Sequence, residues 1–328
     1  MEDDILKKTI FIFVAIALAY SYYSKNNTSQ ELEAINTKIV SNDTRVNSNI
    51  NIDNFKNIKI GDNKAKIISN LGEPSRIDYS EYNFKWYVYN EDLNKFAMVG
   101  IEDENVVALY SNGIDSNEMD IKLNSNRDSV REKYTPLEYK KKGNTRYVIN
   151  SNNQYDILDI EKNYVTVFYD IHEDNKVCGY QIISKKAEST LNGIYSQGSG
   201  ELQESFEAQT KDLVNTERTK NNLDILSYSE KATTSSRKHS EDMMIKNYFD
   251  HINKENKSPF NRMEEEGINY KNAGENIAAG QSSAIYAHHA WMNSLGHRKN
   301  ILGDYKYIGV GVIFGGYYNI YYTQNFYT

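Results

Sequence analysis

The sequence predicts a mixed α+β chain built as two successive bodies. Three observations carry that expectation. A helix-and-hairpin pattern occurs twice between residues 55 and 187. A Ser/Gly-rich stretch follows at 188–203, with the triplet Gly198–Gly200 inside it. Beyond it the pattern turns to amphipathic helices that end in a pair of alternating strands. At 328 residues the chain is long enough for two domains of ordinary size. A formal net charge of -7 argues against phosphate-backbone recognition, so nucleic acid is not expected as a partner.

The N-terminus carries a targeting signature. Lys7 and Lys8 precede the apolar run 9–20, TIFIFVAIALAY, and Tyr20, Tyr22 and Tyr23 extend it with interfacial aromatics. The run is shorter than the ~20 residues of a full span. Residues 1–24 therefore read as a signal anchor or a signal peptide, with Ala17-Leu18-Ala19 as a small-x-small cleavage site. Either way the body of the protein is expected outside the cytoplasm, anchored in the membrane or secreted. The Asn/Ser/Thr-rich residues 25–54 read as a polar stalk, with a weak helix around 31–40.

In the duplicated region, IKIGDNKAKIISNLGEP and IKLNSNRDSVREKYTP open the two units, each as strand end, turn, short helix and stop. The units close with AMVGIEDENVVALYSN and VTVFYDIHEDNKVCGYQI. Ile101–Asn105 matches Ile171–Asn175 at an offset of 70 (171 minus 101), and both acidic tips read as hairpin turns. No catalytic constellation is visible here. His172 sits on a tip beside acids and reads as a solvated turn. Cys178 is the one cysteine, in a strand-like run, and reads as a small core residue rather than a nucleophile.

From residue 204 the stripe Phe206, Leu213 and Val214 marks a helix. Ser229 caps a second, with Ala232, Ser236, His239 and Met243 along one side. Ser258-Pro259 starts a third that stops at Gly267. Residues 282–294 read as a fourth, ended by Gly296. The strands YIGVGVIF and YYNIYYTQNF follow, joined by Gly315-Gly316. Between the helices and the strands lies AGENIAAGQ, in which Glu275 sits among small apolar residues. We read it as a tight turn, with Gly274 allowing close approach and Asn276 bonding across the turn. A carboxylate buried there requires a partner.

Five of the six histidines lie between residues 239 and 297, without HExxH or HxH spacing. Any site must therefore be assembled from separate segments. The candidates are His251 in YFDHIN, Glu275 in AGENI and His297 in GHRKNIL. Two imidazoles and a carboxylate match a zinc site with an open fourth position. They equally match a carboxylate orienting a histidine base, or an acid–His cross-link between helices. His239 follows its helix stripe and reads as packing or cleft lining. His288 and His289 are adjacent, and at least one is expected on a solvated face.

RKHSEDM, NYFDHIN, SPFNRMEEEGI, AGENIAAGQ, AWMNSLGHRKNIL, YIGVGV and YYTQNF occur in that order. Together they resemble the bacterial branch of the CAP superfamily, the SCP-like family of cysteine-rich secretory proteins, antigen 5 and pathogenesis-related proteins. The resemblance covers residues 204–328, and the repeat before it resembles the family's CAP-associated N-terminal domain. It implies an α-β-α sandwich with a central cleft in which His251 and Glu275 face each other. Ser294 and Tyr321 stand where many eukaryotic members carry a second Glu and a second His, and the bacterial branch carries His297 instead. The ligand cleft implied is His239, His251, Glu275, Asn276, His297, Tyr321 and Gln324. His251, Glu275 and His297 are the candidate metal ligands, with zinc the candidate ion. Three function classes remain open at this point. They are an extracytoplasmic module binding a small ligand, peptide, lipid or cell-envelope component; a metal-assisted hydrolase of peptide or envelope substrates; and a non-catalytic scaffold.

Overall fold

In the computed structural model, which describes residues 10–11, 57–115 and 120–328, the duplicated pattern becomes one continuous sheet. The apolar run and the polar stalk lie outside the described residues, apart from a two-residue strand, β1 (Ile10–Phe11). The first unit comprises α1 (Lys64–Leu71), β2 (Arg76–Tyr79), β3 (Lys85–Tyr89), β4 (Ala97–Glu102) and β5 (Asn105–Ser111). The second comprises α2 (Arg127–Lys133), β6 (Tyr139–Lys142), β7 (Thr145–Val148), β8 (Tyr155–Ile160), β9 (Asn163–Asp170) and β10 (Lys176–Ser184), followed by the single turn α3 (Lys185–Glu188). The order β2-β3-β4-β5-β10-β9-β8 joins the two units antiparallel through β5 and β10. β6 and β7 form a separate hairpin, and β1 pairs in parallel with β7.

Local chemistry repeats as well. Asn63 caps α1 and Asn126 caps α2, each side chain accepting from the backbone two residues on. The same asparagines bridge to Asn105 and Lys176 at the start of the closing strands. Asp103 and Glu104 turn the first hairpin with positive φ, and Asp174 and Asn175 do so in the second. These pairs stand 71 apart (174 minus 103), one more than the sequence alignment of the tips. The second tip is a five-residue loop, 171–175, rather than a two-residue turn. His172 is not simply solvated there: its Nε2 lies 3.1 Å from the Asn293 carbonyl oxygen of the C-terminal body.

Both faces of this sheet are covered. On one face Ile67 of α1 and Val130 of α2 pack on Val99, Leu109, Tyr180 and Ile182. On the other, Trp86, Met98, Tyr110 and Phe168 share a core with Leu213 and Ile285 of the C-terminal body. The strands are accordingly near-continuous apolar runs rather than clean alternations.

The C-terminal body contains α4 (Gly200–Lys220), β11 (Ser227–Tyr228), α5 (Glu230–Ile245), α6 (Pro259–Glu265), β12 (Ala273–Ala279), α7 (Ala284–Met292), α8 (Leu295–Ile301), β13 (Tyr307–Phe314) and β14 (Ile320–Tyr327). Its sheet runs β11-β13-β14-β12. Along β13, Ile308, Val310 and Val312 point into a core with Phe206 and Val214 of α4 and Trp291 of α7. Gly309 and Gly311 face the other way, and a Cβ on either would come within 2.1 Å of the α5 backbone. α5 thus covers one sheet face while α4, α7 and α8 cover the other, the α-β-α sandwich.

Two expectations are corrected. Gly296 does not end a helix: α7 stops at Met292, and a new helix, α8, begins at Leu295 and carries Gly296 and His297 within it. AGENIAA is a strand rather than a turn. It pairs antiparallel with β14 in unbroken register, from Ala273 opposite Tyr327 to Ala279 opposite Tyr321. Gly274 is needed for close approach, since a Cβ there would stand 2.6 Å from the Tyr305 hydroxyl.

The connector between the bodies is packed. The Tyr195 hydroxyl donates to the Gly280 carbonyl at 2.7 Å, and α4 starts at Gly200 with Ser199 as its cap.

Candidate functional site: a histidine–glutamate–arginine network at the sheet edge

β12 is an edge strand, and its alternation decides what each candidate residue can reach. Glu275 points toward α5 and α6, whereas Asn276 points toward α8. The Glu275 side chain is 1% exposed. His251, in the loop after α5, places Nδ1 2.9 Å from Glu275 Oε1. Arg262 donates from Nη2 to the other oxygen, Oε2, at 2.6 Å. The sequence positions Arg262 through α6, which opens with a capping box between Ser258 and Asn261 and with Pro259 in its first turn. Arg262 Nη1 also donates to the carbonyl oxygens of His251 and Lys257, at 2.8 and 2.9 Å, fixing the loop that carries His251. His239, buried on α5, comes within 3.9 Å of Glu275 Oε1 and bonds through Nε2 to the Asp250 carbonyl oxygen at 3.1 Å.

Burial opposes ionisation of Glu275. His239, Arg262 and the hydrogen bond from His251 outweigh it, and the carboxyl sits at about 2. Burial pushes His239 down to about 4, with Glu275 opposing that shift. His239 is therefore neutral at neutral pH, while Arg262 brings a guanidinium charge to the carboxylate. His297 is also held down at about 4, by burial first and by His251 second. An ionised carboxylate only accepts hydrogen bonds, so His251 Nδ1 must donate. The ring's other nitrogen, Nε2, belongs to a side chain 19% exposed.

His239, His251 and Glu275 thus converge, with His297 bordering His251. Asn276 faces the other side of the sheet: its amide nitrogen donates to Gln324 Oε1 at 3.0 Å and to the His297 carbonyl at 3.2 Å. Gln324 stands with it rather than in the cleft. Tyr321 is buried in an apolar cluster with Met243 and Ile277. His288 and His289 are both buried, contrary to the solvated face expected of one of them. His289 stacks on Phe168 at 3.9 Å, and its Nε2 lies 3.1 Å from the Tyr110 hydroxyl. Its Nδ1 approaches Cys178 Sγ at 3.6 Å, where burial raises the thiol above its usual range. Arg262 is the site residue that sequence reading missed. The available signal was an arginine in the segment SPFNRMEEEGI, read there only as part of a helix.

The expected zinc ligands do not fit an ion in this arrangement. Both oxygens of Glu275 are engaged, one of them by a guanidinium whose charge would repel a dication. Among the described residues no group of three His, Cys, Asp or Glu side chains is placed to hold a metal.

Helix–sheet–helix layering with a buried acid–histidine pair at the sheet edge is what the resemblance to a CAP domain implied, here preceded by a duplicated domain. Residues 211–326 match the model of the cysteine-rich secretory protein family, and residues 60–194 match the CAP-associated N-terminal model. The chain belongs to this family. It is 30% identical to the uncharacterized membrane protein YlbC of Bacillus subtilis (strain 168) over 289 residues, covering 81% of this chain and 82% of that one. The uncharacterized protein YkwD of the same organism is 47% identical over 112 residues, 34% of this chain and 44% of that one. An extracellular SCP-domain protein from Bacillus anthracis str. Ames superimposes with a TM-score of 0.70 at 26% identity, covering 90% of this chain and 99% of that one. A cysteine-rich secretory protein from Staphylococcus aureus subsp. aureus Mu50 shares the fold with a TM-score of 0.65 at 16% identity, covering 82% and 91%.

Proposed function

We propose that this is an extracytoplasmic CAP-domain protein, held at the membrane by residues 1–24 or released from it, whose cleft binds a cell-envelope component through His251. The observation that carries binding over hydrolysis is the saturation of Glu275 by Arg262 and His251. A carboxylate held at about 2 cannot serve as a general acid at neutral pH, and one paired with a guanidinium is a poor ligand for a dication. What the network presents is one oriented, partly exposed imidazole. The Lys7-Lys8 and apolar run support the location. So do the membrane protein YlbC and the extracellular Bacillus anthracis protein among its relatives. Among the described residues no helix is long and apolar enough to cross a membrane.

Cosedimentation of the purified chain with insoluble cell-wall material tests the reading. Wild type pellets with the wall, and His251→Ala loses most of that binding while remaining folded by circular dichroism. Release of soluble wall fragments by wild type, absent in His251→Ala, would replace binding with hydrolysis. Equal pelleting of both proteins would remove the cleft from the function.

A further inference from the structure

A groove separate from the His251 network runs along the seam between the two bodies. Its inner end is a largely apolar chamber of about 80 Å³. Tyr155 and Phe168 of the N-terminal sheet, Ile194 and Tyr195 of the connector, and Tyr286 of α7 form its walls. Gln281 also lines it. That side chain is buried, and its Oε1 has no hydrogen-bond partner among the described residues. An unsatisfied buried acceptor costs stability unless a ligand donates to it. A cavity of about 150 Å³ holds benzene, so this chamber suits one branched aliphatic side chain.

The chamber opens into a polar cleft of about 680 Å³, and Tyr82, Leu191 and Tyr195 line both. One buried carboxylate lines each, Glu188 the chamber and Glu81 the cleft, in contrasting states. Glu188 is satisfied by Lys140 and Lys142, each at 3.1 Å, and by the Tyr82 hydroxyl at 2.8 Å. Glu81, which lines the cleft, has no cation within ion-pair distance among the described residues. Burial, reinforced by Glu188, pushes its carboxyl up to about 7. Such a group gains most from a positive charge brought by a ligand, and a chain of net charge -7 attracts one.

We propose that this groove binds an extended peptide, seating one aliphatic side chain in the chamber and a neighbouring lysine or arginine against Glu81. A backbone N–H of the peptide satisfies Gln281 Oε1. A glycan fits less well, because it brings no aliphatic side chain for the apolar walls and no cation for Glu81.

Fluorescence anisotropy with the full chain tests this. The probes are fluorescein-labelled Gly-Leu-Lys-Gly-Gly and Gly-Lys-Leu-Gly-Gly, with counterparts carrying norleucine for lysine or serine for leucine. Wild type binds at least one leucine–lysine order and prefers it about tenfold over both counterparts. Glu81→Gln abolishes the preference for lysine and leaves binding of the norleucine peptide unchanged. Leu191→Trp, which obstructs the mouth of the chamber, weakens every leucine peptide about tenfold, and unchanged thermal midpoints confirm that both variants fold. The proposal fails if neither leucine–lysine peptide binds. It fails equally if lysine and norleucine peptides bind alike, if Glu81→Gln changes nothing, or if chitotetraose binds in their place.

Discussion

Replacing Arg262 by alanine tests the central network most directly. The variant loses the 2.6 Å bond to Glu275 and the bonds to the carbonyl oxygens of His251 and Lys257. It leaves a carboxylate that is 1% exposed without its countercharge. Breaking a buried pair in this way costs about 3–5 kcal/mol. The structure allows an independent bound. At pH 7 the variant can escape the buried charge by protonating Glu275, whose ordinary value is 4.5. That costs about 3 kcal/mol relative to the unfolded chain (7 minus 4.5, at about 1.36 kcal/mol per pH unit). At pH 5 the same protonation costs only about 0.7 kcal/mol. The deficit of Arg262→Ala should therefore shrink by about 2.7 kcal/mol between pH 7 and pH 5. Urea unfolding followed by circular dichroism at both pH values measures it. Adding Glu275→Gln should recover about 1–3 kcal/mol of the loss, since the double variant has no buried charge to strand. A deficit under about 1 kcal/mol that is the same at both pH values would refute the reasoning.

Acid sensitivity should come from His239 and His297, which are held at about 4 in the fold against 6.5 ordinarily. Because the folded values are depressed, their contribution is complete above pH 6.5 and is lost as pH falls toward 4. Stability there should drop by up to about 2.7 kcal/mol per pH unit, and His297→Gln should roughly halve that slope. Zinc titrated into wild type by calorimetry should give no saturable heat. Saturation in wild type that is lost in His251→Ala, Glu275→Gln and His297→Ala would instead restore that ligand set. The fragment 201–328 should fold by circular dichroism but melt below the full chain, because Phe168 and Tyr110 no longer cover His289. An unfolded fragment would show that the shared core makes one cooperative unit.

Much of the architecture could be read from residue order because it rests on local chemistry. Asn63, Asn126, Ser229 and Ser258 each cap the helix that follows, and the capping bonds span only two or three residues. The duplication was visible because its tips repeat the same left-handed turn chemistry. Histidines gathered near Glu275 announced a site, since a lone acid among small apolar residues must find a partner. The boundary between α7 and α8 was not visible, because Gly296 is a stop signal that helix packing overrides. The strand identity of AGENIAA was hidden for a related reason. Its small side chains carry no period of two, and its place is set by pairing with β14, some 50 residues further along.

Other features belong to the tertiary structure alone. Arg262 reaches Glu275 across 13 residues and two different elements, and nothing in a short window links them. Whether two histidines and a glutamate hold zinc or neutralise an arginine depends on which charge arrives at the carboxylate. That is a question of distances of a few ångströms. His288 and His289 look like a polar pair on a helix surface, but His288 turns toward Glu217 of α4, and the N-terminal sheet brings Tyr110 and Phe168 against His289. Sequence determined which residues could be buried, capped or charged. The packing of the two bodies decided which of them meet, because interaction energies fall off within a few ångströms while the residues concerned lie tens to hundreds of positions apart.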